Sequence, residues 1–211
     1  MGLLDKRVHG YAIKPGAQLR GALLTHADLW RVDLSEANME RAMLYGAWLE
    51  EANLSYAVLQ YAELGMANLT GANLNGANLN GANLTQANLT GANLSKANLR
   101  RANFYASSLN GADLSGANLR GAYLKGVHLG VNLTNADLTK ADLTEADLNG
   151  VNLTNADLTK ADLTEANLNG ANLTGANLTR ADLTDAYLGD ASLDDAICYY
   201  TTIADGRFHH S

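Results

Sequence analysis

With one cysteine, Cys198, in 211 residues, the chain cannot form an intramolecular disulfide, and it suits a reducing compartment. Aromatic residues are scarce at 6%, proline occurs once, and the 47% hydrophobic content is mostly Ala and Leu, which gives a narrow, repetitive core and not a broad cluster. No apolar run approaches the ~18 residues of a membrane span, and Met1–Gly16 lacks an apolar stretch followed by a cleavage site. The expectation is a soluble, cytoplasmic chain without a membrane partner. Catalytic patterns are missing too. His9, His26, His128, His209 and His210 fall on separate segments or faces, and His209-His210 at the chain end has no third ligand placed near it. Glycines abound, but no Gly-Lys-Ser/Thr follows them, so they do not make a phosphate loop. These absences exclude the usual enzyme classes and leave no catalytic residue, cofactor site or metal site. The Asn-Leu-Thr and Asn-Leu-Ser triplets match a glycosylation acceptor only because a repeat generates them.

What the chain does contain is period. Val131–Gly150 recurs as Val151–Gly170 with one change, Asp147 against Asn167. Inside that block runs a shorter period of five, with Leu133, Leu138, Leu143 and Leu148 each preceded at two places by a small apolar residue. Five nested in twenty describes a solenoid with four short sides per turn, in which each unit buries its apolar face against copies of itself. The register starts at Ala17-Gln18-Leu19 and runs to Ala196-Ile197-Cys198, a single domain over 17–198. We call the central residue i. Residues i−2 and i point inward and i−1 outward, as in any extended segment. Positions i+1 and i+2 turn the corner; Gly21, Gly46, Gly71 and Gly111 occupy i+2, where a type II turn needs positive φ. Non-glycine corners such as Thr139-Lys140 and Thr144-Glu145 are expected to take a type I or irregular turn. One corner is a residue short. Only Gly130 separates Leu129 from Val131, a one-residue register shift at 129–131 in which Gly is expected to take strained backbone angles. It is read either as a tolerated deletion or as a deliberate kink.

Residues 1–16 lie outside the register and form an N-terminal cap, expected to be a short helix with Leu3, Leu4 and Val8 on one side, ended by Gly10 and Pro15. Residues 199–211 form the C-terminal cap and tail. Cys198 at an inward i position is expected to be an inert core thiol.

Ala-(Asn/Asp)-Leu-X-X repeated without pause resembles the pentapeptide-repeat proteins, and the match spans residues 17 to 198. The resemblance implies an all-β, right-handed quadrilateral β-helix with four pentapeptides per coil. About nine coils at ~4.8 Å per coil give a rod on the order of 40 Å long. The Asp-Gly-containing tail Ala204–Phe208 looks like the one that closes cyanobacterial members. Relatives that protect DNA gyrase from quinolones share the fold, although they carry many Phe residues at i and this chain has only Phe104 there.

Net charge is −7 and unevenly spread: residues 1–130 carry 11 Lys+Arg and 9 Asp+Glu, whereas 131–211 carry 4 and 13. Folded at four units per coil, one face shows Arg20, Arg41, Arg100, Arg101, Arg120, Lys140, Lys160 and Arg180. Its neighbour shows Asp142, Glu145, Asp162, Glu165, Asp182 and Asp185. These columns either neutralise each other across the corner, as exposed pairs worth little, or the acidic one mimics nucleic-acid phosphate. Net acidity argues against direct nucleic-acid binding. The aromatics Trp30, Tyr45, Trp48, Tyr56 and Tyr61 hold outward positions in the N-terminal coils, and Tyr105 and Tyr123 make a smaller pair. They either cover the cap region or mark a protein-binding patch. The reading of the whole is a non-catalytic protein–protein interaction scaffold, monomeric or an end-to-end dimer, bound along an outer face by a protein of unknown identity. A DNA-mimicking modulator of a type II topoisomerase is the alternative.

Overall fold

A computed structural model describes residues 6–203. The chain winds into a right-handed quadrilateral β-helix. Parallel bridges join Gln18 to Asn38 and Asn38 to Val58, a step of 20 residues per coil, and the same step continues on all four sides. We name the sides A, B, C and D after Leu19, Leu24, Leu29 and Leu34 of the first coil. Every inward i residue from Leu19 to Leu183, Met39 and Phe104 included, is at most 2% exposed. Each buried Leu contributes roughly 1.5–3 kcal/mol before the entropy of ordering it is subtracted.

The backbone accounts for the consensus letter by letter. In the pentapeptide around Leu69, Asn68 N–H donates back to Ala47 O of the preceding coil at 2.9 Å. Leu69 N–H donates forward to Asn88 O at 2.7 Å, and Gly71 N–H to Thr90 O at 2.9 Å. Ala72 N–H closes the corner on Leu69 O at 2.9 Å. That leaves the N–H of Thr70, which the Asn68 side chain accepts at Oδ1, 3.2 Å away. The Thr70 hydroxyl donates to the same oxygen at 2.7 Å. Asn or Asp recurs at i−1 because a short side-chain oxygen there satisfies the one amide that the coil ladder cannot reach, and Thr or Ser at i+1 adds a second donor.

The corners differ from expectation. Lys140 has φ 60° and Glu145 φ 57°, the same left-handed conformation as Gly111 at 68°. Non-glycine corners therefore take the same turn as glycine corners, and not a type I or irregular one. The cause is the ladder: Lys140 N–H reaches Thr159 O at 3.0 Å and Glu145 N–H reaches Thr164 O at 2.9 Å. Each such bond orients the corner amide along the stack, and it outweighs a left-handed penalty of about 1–2 kcal/mol.

The N-terminal segment also differs. Strands β1 (Lys6–Val8) and β2 (Tyr11–Ile13) form an antiparallel hairpin, with Val8 opposite Tyr11. His9 at φ 51° and Gly10 at φ 86° supply the two positive angles of a two-residue hairpin turn. Val8, Tyr11 and Ile13 pack against the core, a strand composition that overrides the helical spacing of Leu3, Leu4 and Val8. Leu3 and Leu4 themselves lie outside the described residues. The hairpin serves the exposed edge of the first coil: Leu23 N–H donates to Tyr11 Oη at 3.3 Å, and His9 Nδ1 lies 3.1 Å from Leu23 O. At the other end β3 (Asp182–Leu183) pairs in parallel with β4 (Thr202–Ile203). There Leu188, Leu193, Cys198 and Ile203 are only partly buried. Cys198 is therefore a half-covered thiol, its pKa raised by burial, on the terminal coil and not deep in the core. The tail Ala204–Phe208 lies outside the described residues.

The short corner at Gly130 is absorbed locally. Asp113 bridges Asn132, a step of 19, and the sides keep their identity afterwards. Gly130 is not left-handed, so the strain expected of it is not where the adjustment lies. Instead a rung is lost: no bridge joins Ser108 to His128, and the Asn132 N–H to Ala112 O bond lengthens to 3.3 Å.

Two substitutions separate corner conformation from side chain. A Cβ on Gly111 would meet nothing within 4 Å, so Gly111→Ala isolates the backbone cost. It is expected to lower the urea-unfolding free energy by about 1 kcal/mol, and Lys140→Gly to raise it by up to about as much. Equal midpoints for all three proteins would show that the stack sets the turn at no cost.

Candidate functional site

The outward positions of the first three coils carry the residues that depart from the consensus. On side C, Asp28 and Trp30 of the first coil stand over Trp48 and Glu50 of the second, with Asp28 bridged to Trp48. Acid and ring alternate in both directions. Together with His26 they line an open groove of ≈ 480 Å³. Trp48 is 60% exposed and Trp30 is 50%. The Arg31 guanidinium sits 4.4 Å from the Trp30 ring centre and is held by Glu51 through two bonds of 2.7 and 3.1 Å. The hydrogen bond to Arg31 keeps the Glu51 carboxyl below the ordinary range, and the same bond raises the Arg31 pKa.

The five aromatics, read either as cover for the cap region or as a protein-binding patch, are divided by the coil geometry. Trp30 and Trp48 share side C. Tyr45 lies at the neighbouring B–C corner, edge-on to His26 at 5.8 Å and with its hydroxyl 2.6 Å from Met66 Sδ. Tyr56 and Tyr61 stand at two other corners, each laid against the glycine one coil on: a Cβ on Gly76 would come within 2.6 Å of Tyr56, and one on Gly81 within 2.7 Å of Tyr61. Their rings cover the corner and have a packing role. Tyr105 and Tyr123 are exposed on side B. Missed in the sequence reading were Leu23, Met43 and Met66, all exposed and adjoining Tyr45 and Trp48. The signal was present: Leu23 and Met43 are apolar at i−1, where the pattern asks for Asn or Asp.

The charged columns are less paired than expected. Among the described residues, the acidic column of side B meets a cation only at Lys125–Glu145, 3.2 Å apart, a bond that raises the Lys125 pKa. Lys140 and Lys160 form no ion pair with Asp142 or Asp162 across the corner. Neutralisation of the two columns across the corner is thus corrected: the one contact, Lys125–Glu145, lies within side B, and each Asp is turned to its own turn. Thr144 N–H and hydroxyl bind Asp142 Oδ1 at 3.1 and 2.7 Å, and Asp162 and Asp182 hold Thr164 and Thr184 likewise. Arg100 and Arg101 flank Asn80 and Asn98, and Arg101 N–H donates to Arg120 O at 3.1 Å in the next coil. No carboxylate lies within ion-pair distance of these three arginines among the described residues.

Beside the register fault, His128 Nδ1 lies 3.2 Å from Asp147 Oδ2. Burial opposes ionisation of Asp147, but Asn149 N–H, the His128 ring and the Asn167 side chain outweigh it and hold its pKa below the ordinary value.

This geometry, with one inward Leu and one corner every five residues, is matched along the chain by the family model Pentapeptide repeats (8 copies). Its matches are residues 17–55, 52–91, 67–104, 97–129, 130–164 and 161–197. The chain belongs to the pentapeptide repeat family. Among solved members, HetL, a pentapeptide repeat protein involved in heterocyst differentiation regulation in the cyanobacterium Nostoc sp. strain PCC 7120, is 33% identical. That likeness covers 87% of this chain and 92% of HetL, with a TM-score of 0.65. Trypsin-treated QnrB1, a plasmid-mediated fluoroquinolone resistance protein, is 19% identical over 80% of this chain and 87% of its own, with a TM-score of 0.52, a likeness of fold alone. No curated protein matches the chain. Within this pentapeptide repeat protein, no described helix is long and apolar enough to cross a membrane.

Two predictions concern the acids. Asp162→Ala removes the acceptor of two Thr164 donors and is expected to cost about 1–2 kcal/mol in urea unfolding, whereas Asp162→Asn keeps the oxygen and is expected to be near neutral. A depressed carboxylate pKa gives stability that is present above the unfolded value near 4 and lost as pH falls through the lower folded value. Asp147→Asn is therefore expected to flatten the acid side of a thermal-midpoint profile; a profile identical to wild type would mean that the His128 and Asn149 contacts do not persist.

Proposed function

We propose that this pentapeptide repeat protein is a non-catalytic scaffold that binds a protein partner through sides B and C of its first three coils. The observation that carries the reading is the run of exposed apolar side chains on those adjoining sides: Leu23, Trp30, Met43, Tyr45, Trp48 and Met66. Elsewhere the outward i−1 positions hold mainly Asn and Asp, so Leu23, Met43 and Trp48 stand out, and Trp30, Tyr45 and Met66 at the corners beside them extend the patch. Large exposed apolar patches mark interaction surfaces, and Trp and Tyr dominate interface hot spots. The groove on side C lies open to solvent, which gives no place to exclude water from a reaction. Resemblance to HetL supports a regulatory setting for such a scaffold. The single half-covered thiol of Cys198 fits the reducing cytoplasm, with the rod a monomer or an end-to-end dimer.

A second reading, modulation of a type II topoisomerase by mimicry of DNA, is favoured by the ladder of Asp142, Asp162 and Asp182 in direct register. Commitment of these carboxylates to the Thr144, Thr164 and Thr184 turns supplies a structural reason for the same column and makes mimicry the weaker of the two.

Affinity capture from a lysate compares wild type, Trp48→Ala and the triple variant Asp142→Asn, Asp162→Asn, Asp182→Asn. Loss of a partner in Trp48→Ala alone is the expected result. Equal recovery with Trp48→Ala removes the B–C surface from consideration. Gyrase supercoiling with added protein is expected to be unchanged at micromolar concentration, and inhibition relieved by the triple variant would favour mimicry instead.

A further inference from the structure

The side C groove has a composition that specifies the chemistry of what it holds. Its walls are two tryptophan rings, and its polar groups are carboxylates from Asp28 and Glu50. Asp28 uses Oδ1 to accept the Trp30 backbone N–H at 3.1 Å. Glu50 uses Oε1 to accept from the Asn68 side-chain amide. Its other oxygen, Oε2, is shut off from solvent and has no hydrogen-bond partner, the one side-chain atom in that condition among the described residues. A buried carboxylate oxygen with no donor is destabilising, and turning the Glu50 carboxylate out to meet a donor in the groove would remove that cost. The chain's own nearby cation is committed elsewhere: Arg31 binds both oxygens of Glu51 and covers Trp30. No Lys or Arg lies within ion-pair distance of Asp28 or Glu50 among the described residues. His26, the remaining titratable group on the groove, is engaged edge-on with Tyr45. The groove is thus acidic, walled by rings, and short of a cation.

We propose that this groove receives an arginine side chain of the protein partner, its guanidinium lying against Trp48 and donating to the Glu50 carboxylate as that group turns out into the groove, with Asp28 adding charge. The inference rests on the reading of sides B and C as a protein-binding surface. A guanidinium is the occupant the chemistry favours. It is planar, stacks on indole, is weakly hydrated, and presents several donors to a carboxylate. The stem of such a side chain would run over Leu23, Met43 and Tyr45, the apolar ground beside the groove.

Trp30 and Trp48 are the chain's only tryptophans, so indole fluorescence and the two indole N–H resonances report on the groove without background. The probe is the capped peptide acetyl-Gly-Arg-Gly-amide, titrated at constant ionic strength against its Gln counterpart and tetramethylammonium. The expected result is a saturable shift of both resonances with Kd on the order of 1–10 mM, as for one side chain without a surrounding interface. No response to the Gln peptide is expected, and binding to Glu50→Gln should be at least about 5-fold weaker. Glu50→Gln keeps shape and the Asn68 contact, and an unchanged circular dichroism melt verifies its fold. A linear, salt-like drift would overturn the proposal, as would equal response to the Gln peptide or full affinity in Glu50→Gln. Tighter binding of tetramethylammonium than of the arginine peptide would overturn it in favour of a small quaternary cation. Partner capture lost in Trp48→Ala but kept in Glu50→Gln would leave the binding surface standing and remove arginine from it. Capture indifferent to Trp48→Ala would remove the surface whatever the peptide does.

Discussion

The coil-to-coil hydrogen-bond ladder is the constraint on which the rest of the molecule depends. In an interior pentapeptide such as that around Leu69 three N–H groups bond to neighbouring coils and one closes the corner, at 2.7–2.9 Å. Only the i+1 amide lies off that scheme, and the i−1 side chain meets it. A backbone so fully paired leaves little latitude for local propensity, which is why Lys140 and Glu145 adopt a conformation that isolated L-residues avoid. The apolar column of Leu and the small residues beside it supply burial, but the ladder decides where each one points.

The division of labour between letters follows from this. Inward i and i−2 have no freedom beyond small changes such as Met39 or Phe104, both fully buried. Position i−1 is nearly as restricted in the acidic coils, where Asp and Asn are interchangeable as acceptors, as the Asp147/Asn167 difference between the two copies illustrates. A stack of Asp residues there is therefore first a stack of turn acceptors. A departure to Leu23, Met43 or Trp48 forfeits the acceptor and is the more informative event, because the ladder gains nothing from it.

Much of this was legible from residues alone. The five-in-twenty period fixed the sides, and the missing residue between Leu129 and Val131 located the one lost rung. The hairpin was not, because Leu3, Leu4 and Val8 also satisfy a helical spacing, and the positive angles at His9 and Gly10 are set by strand pairing. Nor was the split of the aromatics: Tyr56 and Tyr61 look like neighbours of Trp48 in sequence, yet each five-residue step turns a corner. Their glycine seats lie 20 residues on, at Gly76 and Gly81, a distance at which single-residue reading has no signal. The orphaned Glu50 oxygen depends on side-chain packing that no pattern encodes.

The absorbed deletion at Gly130 separates two properties that are coupled in most folds. Because Asn132 falls under Asp113 on the same side after the loss of a residue, an error at one corner does not rotate the surface beyond it. A whole coil can likewise be copied, as Val131–Gly170 records, without moving any side chain of coils one to three. The rod can thus change in length by whole coils while the outward side chains of coils one to three keep their arrangement on the four sides.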